Sequence, residues 1–361
     1  MTPLFLLAGA GALLLATLAW WRARRRSPVA VPMDDGTSRR DSHGADAAAS
    51  AMPPPAQAPD ARVLLQRLHA TAFDAAPERD VATPASAHAD IGAEAAALLA
   101  RIDSQPRYTP RRPQLLPQLM RAANDPDASL SGIARIIAQD PTLSANLLRI
   151  ANSPFYRMST RPVESVERAV TLLGLDGLRP VIAAALVQPV MRTGDGAFGR
   201  LPVLIWEHTL LSAAAAAEHA RRVEQDDAFA AQLLGLLHGL GAIIVVQVLR
   251  DLYARQPNVA PDPRVVQMLL DAWAAPTAQR IAESWGLSGR IGDGLDAQQL
   301  DAMPTEPLGR ALRVGRIAGA LAMLCRLAQL DDTEGLAMLS ALDVGDGRVV
   351  DANGLWERLR A

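Results

Sequence analysis

From residue 228 to residue 249 the chain is apolar on every side, with Gln232, His238 and Gln247 as its only polar side chains. A helix without a polar face has to be buried, either in lipid or at the centre of a domain. The stretch is long enough to cross a bilayer. Its three polar side chains, and the glycines Gly235, Gly239 and Gly241 crowding its middle, favour a domain centre instead. Two buried helices broken near Gly239 and Gly241 are the expected arrangement, because glycine is costly in mid-helix. At 361 residues the chain has ample length to build a shell around them.

That shell also reads as helical. Half of the residues are apolar, only 4% are aromatic and β-branched residues are sparse, a mix that favours helix over strand. Ser129 or Ser131 can cap a helix carrying Ile133, Ile136 and Ile137. Asp140-Pro141 is a cap followed by a first-turn proline, and Asn152-Ser153-Pro154 closes the helix it opens. Ser165 opens a helix that Gly174 ends, and Asp176 begins the next. Further helices are expected over residues 206–223, 228–237, 243–253, 263–273, 277–285 and 308–330. Neither strand alternation nor a fixed repeat stands out. The expected fold class is all-α: a multi-helix bundle preceded by one transmembrane helix and a disordered linker.

Residues 3–21 form the other apolar run, with Thr17 its only plainly polar interruption. Nineteen residues at about 1.5 Å each span roughly 28 Å, just enough for the hydrocarbon core. Trp20 and Trp21 sit where an aromatic belt would, and Arg22, Arg24, Arg25 and Arg26 follow. The positive-inside rule then puts the bulk of the chain in the cytoplasm, on a single-pass anchor. A cleaved signal peptide is the competing reading. No basic side chain precedes the run, and no clear small-residue cleavage site precedes the tryptophans. Residues 1–26 are therefore expected to be an anchor, and residues 27–90 a flexible linker with a short amphipathic helix at 60–73 and a loose stretch at 75–90. Residues 91–361 form the helical domain, compact from about Tyr108. A net charge of −2 offers no field to attract nucleic acid, and the segment 178–186 has Arg179 as its only long polar side chain. No nucleic-acid partner is expected. Cys325 stands alone, which excludes an internal disulfide and fits a reducing compartment.

Several motifs go further than periodicity. Leu116-Pro117-Gln118-Leu119, Ile136 to Leu143 with Asp140-Pro141 at its centre, Leu147 to Tyr156 with Asn152-Ser153-Pro154, and Val166 to Gly174 together resemble the HDOD domain. This is the HD-related output domain of bacterial signalling proteins. Ile205-Trp206-Glu207-His208, Gly235 to Gly241 and Ala282 to Leu287 resemble its second half. The resemblance covers residues 108–300, with Asp140, Pro141, Asn152, Ser153, Pro154 and Trp206 as family-motif positions. It implies an all-helical fold related to HD phosphohydrolases, used in signalling without established catalysis. It also implies partners among other signalling proteins, such as two-component or cyclic-di-GMP components at the inner membrane.

An HD phosphohydrolase needs an upstream histidine, a His-Asp pair and a later aspartate. His208 and His238 stand at the two histidine positions, but Gly239 takes the place of the paired aspartate. Glycine brings neither charge nor a bridging oxygen. Asp251 and Asp271 are candidates for the later carboxylate, and neither sits in a matching motif. His219 lies eleven residues after His208, about 16 Å along a helix, too far to share an ion. Glu207, adjacent to His208, points elsewhere on a helix. The expectation is a chain with no catalytic residue, no metal and no cofactor, in which His208 and His238 are hydrogen-bonded core histidines. It would act as a membrane-anchored signalling or scaffold protein through protein contacts. The alternatives are a diverged metal-dependent phosphohydrolase acting on a nucleotide or cyclic dinucleotide, or a ligand sensor built on the vacated pocket. Asp140-Pro141 and Asn152-Ser153-Pro154 are read as helix architecture, and Tyr108 to Arg112 as a solvated lead-in.

Overall fold

The apolar stretch is one helix rather than two. In the computed structural model, which describes residues 59–73, 85–110, 114–125, 129–152, 161–187, 198–299 and 303–360, it runs unbroken over Ala228–Ala254. It is α8 of thirteen α-helices among the described residues, which contain an isolated bridge between Asp343 and Val349 but no β-strand. All of them fall within the unit Pro54–Ala361. The expected anchor at residues 3–21 lies outside the described residues.

The expected break fails because the glycines serve packing. A Cβ on Gly235 would lie 2.8 Å from Ala213 Cα, and one on Gly239 would lie 2.6 Å from Thr209 Cβ. Both neighbours belong to α7, Leu201–His219. A Cβ on Gly241 would come within 2.9 Å of Ala278 N on α9, Pro263–Ser284. Residues four apart share a helix face, while two residues further on the direction has turned by about 200°. Gly235 and Gly239 therefore admit α7 on one side, and Gly241 admits α9 on the other. The intrinsic cost of each glycine, about 1 kcal/mol, is offset by burial along α8, where Leu233, Leu237, Val245 and Leu249 are fully enclosed. The helix is long and apolar enough to cross a membrane, but 94% of its most apolar window is buried inside the domain. A third close contact sets α11, Pro307–Arg326, along α7, where a Cβ on Gly315 would lie 2.9 Å from Ala216 Cβ.

The domain also begins earlier than residue 91 or Tyr108. Helix α1, Ala61–Ala70, buries Leu64, Leu65 and Leu68 and packs on α9 and α11. Helix α2, Ala85–Leu99, buries Ile91, Ala95 and Leu99 and packs on α8 and α9. The described parts of the presumed linker are thus core elements. Two other boundaries shift. Residues 263–285, expected as two helices, are the single α9 with Pro276 inside it, and the helix expected over 308–330 ends at Arg326.

Helix punctuation follows the sequence closely. Ser129 Oγ accepts from Gly132 N–H at 3.0 Å, and Asp140 Oδ1 accepts from Leu143 N–H at 3.1 Å, opening Pro141–Ala151. Gly174, at φ 63°, kinks the segment Val166–Val187. Asn152 accepts from Val163 N–H and donates to Val163 O and Leu148 O, each at 2.8 Å, pinning the returning chain to the helix end. Ser153 and Pro154 lie outside the described residues.

One charged cluster is part of the core. Arg310 on α11 donates from Nε and Nη2 to the two oxygens of Glu224 at 2.9 and 2.7 Å. The two side chains are only 4% and 0% exposed, and His219 Nε2 stands 3.3 Å from Glu224 Oε1. Removing one partner of such a pair leaves a buried charge uncompensated. Glu224→Leu should cost about 3–5 kcal/mol in urea unfolding, and Arg310→Met in the same chain should restore a large part of it. Equal losses in the single and double variants would show that the pair is not the cause.

Candidate functional site

Five helices meet at a cavity in the middle of the domain. Helix α7 brings His208, Thr209 and Ser212, α8 brings His238 and Gly239, and α9 brings Asp271. Helix α11 adds Arg316, and α1 closes one wall with Leu65 and His69. The structure therefore unites His208, His238 and Gly239, as their sequence spacing suggested. Asp271, one of two candidate carboxylates, is there as well. Asp251 is not, since it accepts from Tyr108 Oη at 2.6 Å and pairs with Arg107 at 2.7 Å. The lead-in at Tyr108 is thus fastened to α8 rather than solvated. His219 belongs to the Glu224 cluster, Glu207 is exposed, and Trp206 is buried without lining the cavity. His69 and Arg316 were missed. Both lie outside the motifs, on helices whose register against α7 and α8 is fixed only by tertiary packing.

The polar groups of the cavity are largely engaged with one another. Arg316 O is a carbonyl and can only accept, so His208 carries its proton on Nε2 and donates it there at 3.0 Å. Ser212 Oγ lies 3.0 Å from the same nitrogen. His69 Nδ1 faces Gln267 Oε1 at 2.8 Å, and Gln267 Nε2 donates to Asp271 Oδ1 at 2.8 Å. Burial sets the protonation states. It pushes His69 down to about 4 and His208 down to about 3. His238 is held well below its ordinary value by burial and by the Arg316 charge. All three imidazoles are neutral at pH 7, and a base so weak is poorly matched to proton transfer at that pH.

Does this donor set fit the divalent metal that an HD site holds? His208 has only Nδ1 left as an unprotonated nitrogen, and position 239 offers no ligand. An aspartate cannot simply be imagined there, because Thr209 fills the space its Cβ would need. Thr209 is buried and donates its hydroxyl to Ile205 O at 2.7 Å, so it has no slack. Arg316 adds a positive charge to the cavity a cation would have to enter. No group of three or more His, Cys, Asp or Glu residues suited to a metal occurs among the described residues. The residues do not fit the metal.

The described domain is all-helical, with His208 and His238 facing one cavity and a packing glycine, Gly239, beside the second of them. The chain belongs to the HDOD domain family, whose signature matches residues 109–299. An uncharacterised protein of Treponema pallidum (strain Nichols) is 26% identical over 199 residues, which are 54% of this chain and 37% of that protein. The chain thus spans little more than a third of that relative's length. Among solved structures, a Shewanella amazonensis SB2B protein described provisionally as a phosphohydrolase is 26% identical, with a TM-score of 0.49 over 73% of this chain and 93% of that one. An HDOD domain protein of unknown function from Geobacter sulfurreducens is 22% identical, with a TM-score of 0.46 over 74% and 89%. Helices α1 and α2 and the C-terminal helices from α11 onward lie outside the matched segment.

Proposed function

We propose that this chain is a non-catalytic signalling or scaffold protein, anchored in the bacterial inner membrane, whose HDOD domain works through contacts with other signalling proteins. The observation that carries the reading is the Thr209–Gly239 contact. It replaces the metal-binding carboxylate with a helix–helix packing joint, so the lost ligand is compensated structurally rather than substituted chemically. The neutral imidazoles, two of them (His69 and His208) hydrogen-bonded, and the cation at Arg316 support the same reading. The anchor rests on the apolar run at residues 3–21 with its tryptophan and arginine flank. Confinement to two dimensions would raise the effective concentration of the domain toward other membrane-associated partners.

The test uses the full chain, prepared without chelator or histidine tag. It is expected to fractionate with membranes, to need detergent for release, and to return substoichiometric metal by elemental analysis. One or more tightly bound ions per chain would return the hydrolase reading and direct the work to phosphodiester substrates. Recovery in the soluble fraction would remove the anchor and the inner-membrane location with it.

A further inference from the structure

Arg316 is a cation in the middle of the domain with a hydrogen-bond donor to spare. Its Nε–H is buried and has no acceptor among the described residues, and its Nη1 reaches Gln298 Oε1 only at 3.4 Å. A buried unsatisfied donor is costly, more so on a charged group. The other polar atoms of the cavity do not offer relief. Thr209 gives its hydroxyl to Ile205 O, Ser212 lies against His208, and Asp271 is occupied at Oδ1 by Gln267. Arg313 is buried on the same helix and close enough to repel Arg316, whose guanidinium is brought down to about 10 by burial and by that charge. Asp271, the carboxylate lining the cavity among the described residues, attracts Arg316 but also feels Arg62, and its burial favours the uncharged form, so it offsets the Arg316 charge only in part.

We propose that this cavity binds a phosphate-sized oxyanion, held by the guanidinium of Arg316 with His238 beside it, while His69 and His208, whose ring protons go to Gln267 Oε1 and Arg316 O, form the wall. An anion supplies the acceptor that Nε–H lacks and relieves the repulsion between Arg313 and Arg316. A guanidinium presents its donors as a planar fork matched to tetrahedral oxyanions. The site takes the place of the metal position and selects the opposite charge. The inference rests on the reading that no metal occupies the cavity, which elemental analysis tests separately.

Calorimetric titration of the full chain with sulfate at constant ionic strength is the experiment, since sulfate does not titrate near neutral pH. Saturable binding of one anion per chain is expected, weakened about ten- to a hundredfold by Arg316→Met and less by Arg316→Lys. Unchanged affinity in Arg316→Met, or a response that never saturates, would overturn the proposal. If Arg316→Met does not fold, hydrogen exchange of the unaltered chain decides. Because Leu65 and His69 form one wall, bound sulfate must slow exchange in α1, and binding without that protection puts the anion elsewhere and overturns the site. Competition then separates the sources. Displacement by adenosine 5′-monophosphate supports a phosphomonoester terminus as the occupant, and displacement by inorganic phosphate alone supports the free ion.

Discussion

Gly239→Asp will not restore a His-Asp metal pair. It is expected to destabilise the domain by more than about 4 kcal/mol, a large share of what a folded domain has. The Cβ alone would sit 2.6 Å from Thr209 Cβ and closer still to its Oγ1 and Cγ2. Nor can α8 retreat. Gly241 already brings its opposite face within 2.9 Å of α9 for any added Cβ, and the Gly235–Ala213 contact closes the same α7 interface one turn away. Overpacking costs typically about 1–3 kcal/mol, and a buried carboxylate without a metal or a full set of donors adds several more. Gly239→Ala isolates the steric share and Gly239→Asp adds the charge. Thr209→Gly combined with Gly239→Asp should recover only the steric part. Urea unfolding followed by helical circular dichroism measures each step. A Gly239→Asp chain that keeps its unfolding midpoint and acquires stoichiometric metal would show that position 239 is open and that the closed-site reading is wrong.

That joint also shows where sequence reasoning stopped. Helix caps were legible because each needs only a few neighbouring residues: Ser129, Asp140 and Gly174 act as expected. The pairing of His208 with His238 was legible from motif spacing. The glycines of α8 were misread, because a glycine that breaks a helix and one that admits a neighbouring helix look alike in sequence. Only the partners, Ala213, Thr209 and Ala278, distinguish them, and they lie on other helices. His69 and Arg316 were invisible for the same reason. His69 in particular sits in a stretch whose composition reads as linker, yet Leu64 and Leu68 bury one face of its helix against the core and carry the imidazole into the cavity.

Acid will expose how those imidazoles are held. His69 and His208 stay neutral in the folded chain down to about 4 and about 3, whereas in the unfolded chain each titrates near its ordinary 6.5. Protons therefore bind the unfolded state more strongly. The stability that burial of the neutral rings allows is complete above pH 6.5 and is lost as the pH falls toward 4 and 3. Each ring's slope is half-developed at pH 6.5 and approaches about 1.4 kcal/mol per pH unit below it, so this pair removes roughly 3 kcal/mol between pH 6.5 and pH 5. His238 adds in the same direction, as does His219, whose burial outweighs the attraction of Glu224. Ordinary carboxylates titrate mostly below this window, so the loss above pH 5 belongs to the histidines. Urea midpoints measured from pH 7.5 to pH 5 should fall steadily, and His69→Gln should flatten the slope by one proton. A bound divalent cation would also hold the rings unprotonated, so elemental analysis and not this profile tests for metal. Glu207 and Asp271, raised by desolvation, oppose part of the decline. A profile that is flat from pH 7.5 to pH 5 in the unaltered chain would mean that the rings are hydrated and titrate near their ordinary value in the folded chain, and the account of a dry centre would fail with it.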